Sequence, residues 1–346
     1  MREGWLWRPL SRLIGDPSGA DELWWTKREV FARLVSGPSI RDFADEMAAT
    51  ISTAVAEMAA RGRDGRALDA GEEMARIVYR AITRVLIGNK ITDEQADRLG
   101  AALRTTSASM RPRLMFPFVP NAVPFAGDRR FRRSVAGIDE MVFPIVDRAR
   151  RRGPDGRDIV SRLLEARTSD GRGFTRQELR DGMVSLFVAG TETTTIAMTF
   201  LWTVLRLYPP GWMLPRKVVD DDVIGGAPVK AGGLIVMSPY LTNRLPELWD
   251  RPEEFAPSRH DPGAQQPAFS YLTFGGGPHA CVGKPFFLAE VQLIIAAVLS
   301  TLHVTVLGAP SARPQLGLTL RPRERTMLRL IPRTATGGDG RVSGDG

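Results

Sequence analysis

Cys281 is the only cysteine in 346 residues, and its neighbours make it the first side chain to weigh for chemistry. It lies in Phe274-Gly275-Gly276-Gly277-Pro278-His279-Ala280-Cys281-Val282-Gly283, a glycine-rich turn placed directly before a helix-forming run. Backbone N–H groups in such a loop and the positive end of the helix both favour thiolate over thiol, so the sulfur reads as an anionic ligand. Gly277 and Gly283 leave room for a large flat group against the backbone, and His279 can meet an anionic substituent of that group.

A second set of reactive side chains lies in Ala189-Gly190-Thr191-Glu192-Thr193-Thr194, within the stretch Gly182 to Leu205, where Glu192 is the one charged residue. Glu192 followed by Thr193 is an acid and an alcohol that together can hold water and pass protons beside an apolar cavity. Gly190 costs a helix about 1 kcal/mol and tolerates a distorted turn where a ligand approaches. Plainer readings stand beside these. A lone cysteine is commonly a small buried hydrophobe, and threonines in a buried helix commonly bond the carbonyls of the preceding turn. A phosphate loop fails because Pro285, not Ser or Thr, follows Gly283-Lys284. A Cys/His dyad would have to draw its base from His260, His279 or His303.

The elements that position these groups are mostly helical. Apolar spacing and stop signals predict helices from about Asp21 to Val35, from Ser39 through Ile40, Phe43, Met47, Ile51 and Val55, and from Asp69 to Leu86. Thr92 with Gln95 forms a capping box for the next, followed by an apolar, proline-punctuated connector from Arg111 to Pro124. Helices over Gly127 to Arg151 and Asp158 to Ala166 precede another capping box, Thr175 with Glu178. That box opens a helix expected to run to Leu207, about 45 Å at 1.5 Å per residue, where Pro209-Pro210 ends it. Short β pieces follow at Val223-Ile224, Pro228-Val229 and Leu234 to Met237, then an extended stretch, then the Gly275 loop and a helix to about Leu299. The expected organisation is one domain over 1–333, helix-rich over 21–207 and strand-containing with the cysteine loop over 208–333, with 334–346 a disordered tail.

Composition narrows the class. Forty-three per cent hydrophobic and 25% charged residues describe a globular chain, and one cysteine allows neither an intramolecular disulfide nor an all-cysteine metal site. Lys+Arg 47 against Asp+Glu 39 gives a net charge of +8, modest and spread out, so no nucleic-acid partner is expected. Met1-Arg2-Glu3-Gly4-Trp5 leads into Arg8 and Arg12 without an apolar run, which reads as cytoplasmic. Gly182 to Leu205 and Val291 to Ala312 read as a buried helix and as a helix followed by a strand, not as membrane spans.

The cysteine loop resembles the thiolate-loop signature of the cytochrome P450 family, Phe-x-x-Gly-x-x-x-Cys-x-Gly with a basic residue two before the cysteine; Phe274, Gly277, His279, Cys281 and Gly283 match it. Ala189 to Thr194 resembles the family's oxygen-activation motif, in the family's order along the chain. Trp24 and Arg28 are similar to its Trp-x-x-x-Arg pair, Leu207-Tyr208-Pro209-Pro210 with Arg216 to the segment that supplies a second propionate-binding arginine, and Phe255-Ala256-Pro257-Ser258-Arg259 to the stretch before the thiolate loop. The resemblance implies a mainly α fold with a small β portion and a haem b whose iron, the metal, is bound by Cys281. It implies cofactor contacts from Trp24, Arg28, Ala189, Gly190, Arg216, Phe274, Gly277, His279 and Gly283, and catalytic roles for Glu192 and Thr193. It further implies a hydrophobic small-molecule substrate, a separate ferredoxin- or flavodoxin-type electron donor, and no integral membrane association.

Two departures accompany the resemblance. The family pairs a glutamate with an arginine as Glu-x-x-Arg, whereas Thr203 stands three residues before Arg206. The family also inserts helices before this arginine and carries further elements before Trp24. A buried arginine without its carboxylate carries a cost on the order of 3–5 kcal/mol. The resemblance implies a haem-thiolate monooxygenase, with a degenerate relative that binds haem or ligand without turnover as the alternative, and a basic interaction or membrane-associated protein as the third reading.

Overall fold

The computed structural model describes residues 13–14, 22–116, 119–120, 122–154, 156, 158–199, 205–261, 266–308 and 313–333. Helices α1 (Glu22–Leu34), α2 (Gly37–Arg61), α3 (Ala70–Ile87), α4 (Asp93–Met115), α5 (Asp128–Arg152), α6 (Ile159–Glu165), α7 (Arg176–Thr199), the short α8 (Pro239–Thr242) and α9 (Lys284–Thr301) are accompanied, among the described residues, by nine short strands. Helix α3 is the hub, packing on α2, α4 and α7, while α9 lies across α2 and α7.

Local sequence accounts for the helix starts. Pro38 sits in the first turn of α2 behind Ser36 rather than ending a helix, because its missing N–H would be unbonded there anyway. Asp69 caps α3 by accepting from the Glu72 N–H. The Thr92/Gln95 box is closed in both directions, and so is the Thr175/Glu178 box. Met47, Ile51, Val55 and Met58 form the buried stripe of α2, and Ile77, Ile82 and Val85 meet them from α3.

Two expectations change. Helix α4 continues through Pro112 to Met115, so the connector begins only at Phe116. Helix α7 is described from Arg176 to Thr199, about 36 Å, and does not include Leu207. Leu205 to Tyr208 form a turn, and residues 200–204, including Thr203, lie outside the described residues, as does the tail from Thr334.

The strands are small. β6 (Leu302–Leu307) pairs antiparallel with β9 (Met327–Pro332), and β9 in turn pairs with β1 (Leu68–Asp69), so the last described strand is stitched to the helical half. β2 (Leu214–Lys217) pairs with β5 (Leu234–Met237), setting Arg216 opposite Ile235. β3 (Asp222–Ile224) and β4 (Ala227–Val229) make one hairpin, and β7 (Pro314–Gln315) pairs with β8 (Arg321–Pro322).

Helix α9 is long and apolar enough to cross a membrane by length and composition. Its buried face, however, carries Phe286, Phe287, Glu290, Val291, Ile294 and Val298. Glu290 is fully buried, and neither carboxyl oxygen has a hydrogen-bond partner. Burial alone pushes its pKa well above the usual carboxylate range. A raised folded-state pKa means that the native state holds the proton more tightly, so stability falls as pH rises above the unfolded value of about 4.3. Glu290→Met should therefore stabilise the chain at pH 7 by about 1–3 kcal/mol, with a smaller gain at pH 4. Urea unfolding at the two pH values measures this, and equal gains would show that the carboxyl is not the source.

Candidate functional site

The cysteine loop is built by backbone hydrogen bonds. The Cys281 N–H donates to the Phe274 carbonyl at 2.8 Å, that of Gly275 to Leu272 at 2.9 Å, and that of Ala280 to Gly277 at 3.0 Å. Gly277 has φ +64°, a conformation that favours glycine, with nothing within 4 Å of where a Cβ would stand. Gly283 caps α9, and a Cβ there would meet the Cys281 Sγ at an ordinary 3.8 Å. Phe274 fastens the loop to α9 through Phe287, with ring centroids 5.4 Å apart.

Cys281 is exposed as a residue. Its sulfur nonetheless lies deep enough in the loop for loss of water to raise the thiol pKa, and the N–H groups of Gly283 and Lys284 and the Arg28 charge only partly offset this. The loop alone thus leaves the sulfur as a thiol more than its glycines and helix suggest, because desolvation outweighs the N–H groups.

Helix α1 meets the loop from the side. Trp24 and Arg28 are one turn apart on it, with the Arg28 guanidinium 5.3 Å from the centre of the Trp24 ring. Arg28 Nη2 donates to the Ala280 carbonyl at 2.8 Å, and the Trp24 ring lies 4.9 Å from that of His279. Arg216, on β2, comes close enough to act on the same histidine. The pKa of His279 is lowered first by burial and then by the charges of Arg216 and Arg28, which holds the ring toward neutral imidazole. Among the described residues neither arginine has a carboxylate partner; their hydrogen bonds go to the carbonyls of Ala280 and Pro215.

Helix α7 presents the second motif. It is unbroken through Gly190, where a Cβ would stand 3.1 Å from the Ile82 Cδ1, so this glycine serves the close packing of α7 on α3 and not a distorted turn. Ala189 is exposed and Thr193 half-buried one turn on, leaving that face partly uncovered. The Thr193 hydroxyl donates to the Ala189 carbonyl at 2.5 Å, and that of Thr191 to Phe187 at 2.6 Å, which is the plainer role for helix threonines. Glu192 is buried and bonded elsewhere. It pairs with Arg321, accepts from Ser107, and accepts from the Thr319 hydroxyl at 2.8 Å. It also lines a pocket of about 220 Å³ with Tyr79, Arg104, Thr195 and Arg321. Sequence reasoning did not find Ser107, Thr319 or Arg321. They come from remote parts of the chain, and no local pattern ties them to Glu192.

The structure thus gathers Trp24, Arg28, Arg216, Phe274, Gly277, His279, Cys281 and Gly283 around one loop, and ties Glu192 into a separate polar cluster. An exposed lone thiol beside two arginines and a histidine that lack acids defines a thiolate site for a flat group with anionic substituents. The Cytochrome P450 family model matches residues 18–203 and 200–329, and the chain belongs to that family. The two matched stretches meet at 200–203, where the inserted helices were expected and are absent from the sequence.

The chain is 29% identical over 282 residues to cyclooctat-9-en-7-ol 5-monooxygenase of Streptomyces melanosporofaciens, covering 68% of this chain and 61% of that protein. It is 26% identical over 320 residues to pentalenene oxygenase of Streptomyces avermitilis, covering 80% of this chain and 71% of that protein. The heme domain of cytochrome P450DA superposes with a TM-score of 0.80 at 18% identity, covering 95% of this chain and 81% of that one, which shows the mainly α fold with its small β portion.

Members of this family bind haem b through a cysteine thiolate. The residues here fit that group. The acid-free arginines and His279 match the two negative charges of the propionates.

Proposed function

We propose that this protein is a haem-thiolate monooxygenase that inserts one oxygen atom of O₂ into a hydrophobic organic substrate. The observation that carries this reading is the exposed Cys281 set beside Arg28, Arg216 and His279 with no carboxylate among them. When bound, haem b supplies oxygen activation, with the cysteine sulfur as its electron-donating ligand. Cys281 would hold the iron; Trp24, Arg28, Arg216 and His279 would hold the propionates; Phe274, Gly277 and Gly283 shape the loop that carries the cysteine; and Ala189 leaves one face of α7 uncovered, whereas Gly190, expected to contact the cofactor, packs on Ile82.

Thr193, its proton already donated to the Ala189 carbonyl, keeps lone pairs free to accept from water. Glu192 meets water in the pocket it shares with Tyr79 and Arg104 and serves as the proton reservoir for that hydroxyl. Substrate enters beside the connector after α4, where Phe116 and Val123 are exposed and the Phe116 and Phe125 rings lie 5.8 Å apart. Electrons arrive from a separate ferredoxin- or flavodoxin-type donor, in the cytoplasm and away from any membrane. A second reading, a haem- or ligand-binding relative without turnover, is favoured by the closed Glu192–Arg321 pair, which ties up the acid.

The deciding experiment is the carbon-monoxide difference spectrum of the reduced protein together with product formation from supplied electrons. A red-shifted thiolate band with turnover supports the first reading, the band without turnover the second, and a folded chain that takes up no haem sinks the first in favour of the second. Thr193→Ala should keep haem and fold while diverting most reducing equivalents to hydrogen peroxide, a loss of coupling of about 10-fold or more. Unchanged coupling would remove Thr193 from the proton path.

A further inference from the structure

The β2–β5 ladder leaves one strand edge open. Its bonding is fixed near the turn, where the Val218 N–H donates to the Gly233 carbonyl at 2.9 Å. Successive residues of an antiparallel strand aim their backbone groups alternately toward and away from the partner. The N–H and C=O of Ile235 therefore face Arg216, the residue opposite on β2, while those of Leu234 and Val236 face outward. Among the described residues no strand or loop meets these outward groups, and Leu234 and Val236 are 64% and 50% exposed.

The neighbouring edges are blocked. The outer edge of β2 presents Pro215, which has no N–H, and the exposed Lys217; β3 begins with the exposed Asp222, and β4 contains Pro228. Proline and charge keep a strand edge from pairing. β5 reads Leu-Ile-Val-Met and has neither, so it is a template for another strand.

Charge decides which strand. Residues 231 to 243 hold no charged side chain, in a chain whose net charge is +8, and Lys230 just before them is paired with Asp221 at 2.6 Å. A foreign partner drawn in by the net charge would be acidic and would need a basic edge, which β5 does not offer. Two copies of this chain repel over most of their surfaces and can approach closely only where the contact is uncharged. β5 supplies that contact on both sides.

Backbone geometry sets the register. A two-fold axis at Ile235 places Leu234 opposite Val236 of the second copy, and the reverse, so every outward N–H and C=O of β5 gains a partner and the apolar side chains meet in cross-strand pairs. A shift toward Ser238, the next outward position, fails because its carbonyl already accepts from Leu241 and Thr242 in the first turn of α8.

We propose that the protein forms a two-fold dimer through antiparallel pairing of β5 with β5 of a second copy. An isolated two-stranded ladder is marginally stable, and the pairing turns it into a larger sheet with β2 on each outer side. The proposal is independent of the haem reading.

Sedimentation equilibrium of the full chain tests this. The mean mass should rise from that of one chain toward two as concentration passes through about 10–100 µM, the weak range suited to so short a contact. Val236→Lys, at an exposed position that leaves the circular-dichroism spectrum and urea midpoint unchanged, should weaken association by about 10-fold or more. Ile235→Cys, made with Cys281→Ser so that it is the one thiol, should oxidise to a linked dimer faster than the exposed Leu288→Cys made the same way, because position 235 meets its own copy at the axis. The mass of a single chain up to about 1 mM would overturn the proposal and leave the edge to a strand of another protein. Undiminished association of Val236→Lys, or linkage of Ile235→Cys no faster than of Leu288→Cys, would overturn it equally.

Discussion

Cys281→Ser is expected to abolish the thiolate band in the carbon-monoxide difference spectrum and to reduce product formation to background, while the chain still folds. The loop does not depend on the sulfur for its shape. Its closing bond runs from the Cys281 backbone N–H to the Phe274 carbonyl, and Gly277 sets the turn. The residue is exposed although its sulfur is partly desolvated, so replacement by serine should move stability by no more than about 1 kcal/mol. What is lost is the soft, electron-donating sulfur, for which a hydroxyl is no substitute on iron. The spectrum and a urea-unfolding curve taken on the same preparation separate the two effects. A surviving band would mean that another group binds the iron, and a collapsed fold would mean that the cysteine is structural.

Arg321→Ala is expected to destabilise the chain by about 3 kcal/mol, the lower end of the range for breaking a buried ion pair. The lower end applies because the Arg321 side chain is 27% exposed, so water can partly replace it, while that of Glu192 is 8% exposed and must keep its charge or take a proton. Ser107 and Thr319 still donate to the carboxylate but bring no charge. The cost comes from stranding Glu192, so Arg321→Ala combined with Glu192→Gln should recover most of it, and a double-mutant cycle in urea measures that recovery. Simple additivity of the two single changes would show that Arg321 acts through packing against its other neighbours. If Glu192 is also the proton reservoir for Thr193, freeing it should alter coupling in the holoprotein even where the fold survives.

The helix starts were legible because they rest on short-range rules. A Thr with Gln or Glu three residues on and an Asp before an apolar run act within a few bonds, and α3, α4, α6 and α7 begin where such signals stand. The far end of α7 was not legible. Apolar periodicity continues through Phe200-Leu201-Trp202 toward Leu207, yet Leu205 to Leu207 form a turn, where the buried Arg206 donates to carbonyls of Asn243, Pro252 and Glu254 that lie far along the chain. The tertiary framework outweighs local propensity there.

The candidate site divides along the same line. The identity of Cys281 as the one thiol, its glycine turn, and the spacing of Trp24 and Arg28 on a single helix face follow from sequence alone, since turn chemistry and helical period are local properties. Only the tertiary structure decided that Arg28, Arg216 and His279 share a space without acids, that Gly190 exists for contact with Ile82, and that Glu192 is held by Ser107, Thr319 and Arg321. The reason is physical. Charge and desolvation act through space, and residues more than a hundred positions apart come within hydrogen-bonding distance only when packing brings their elements together.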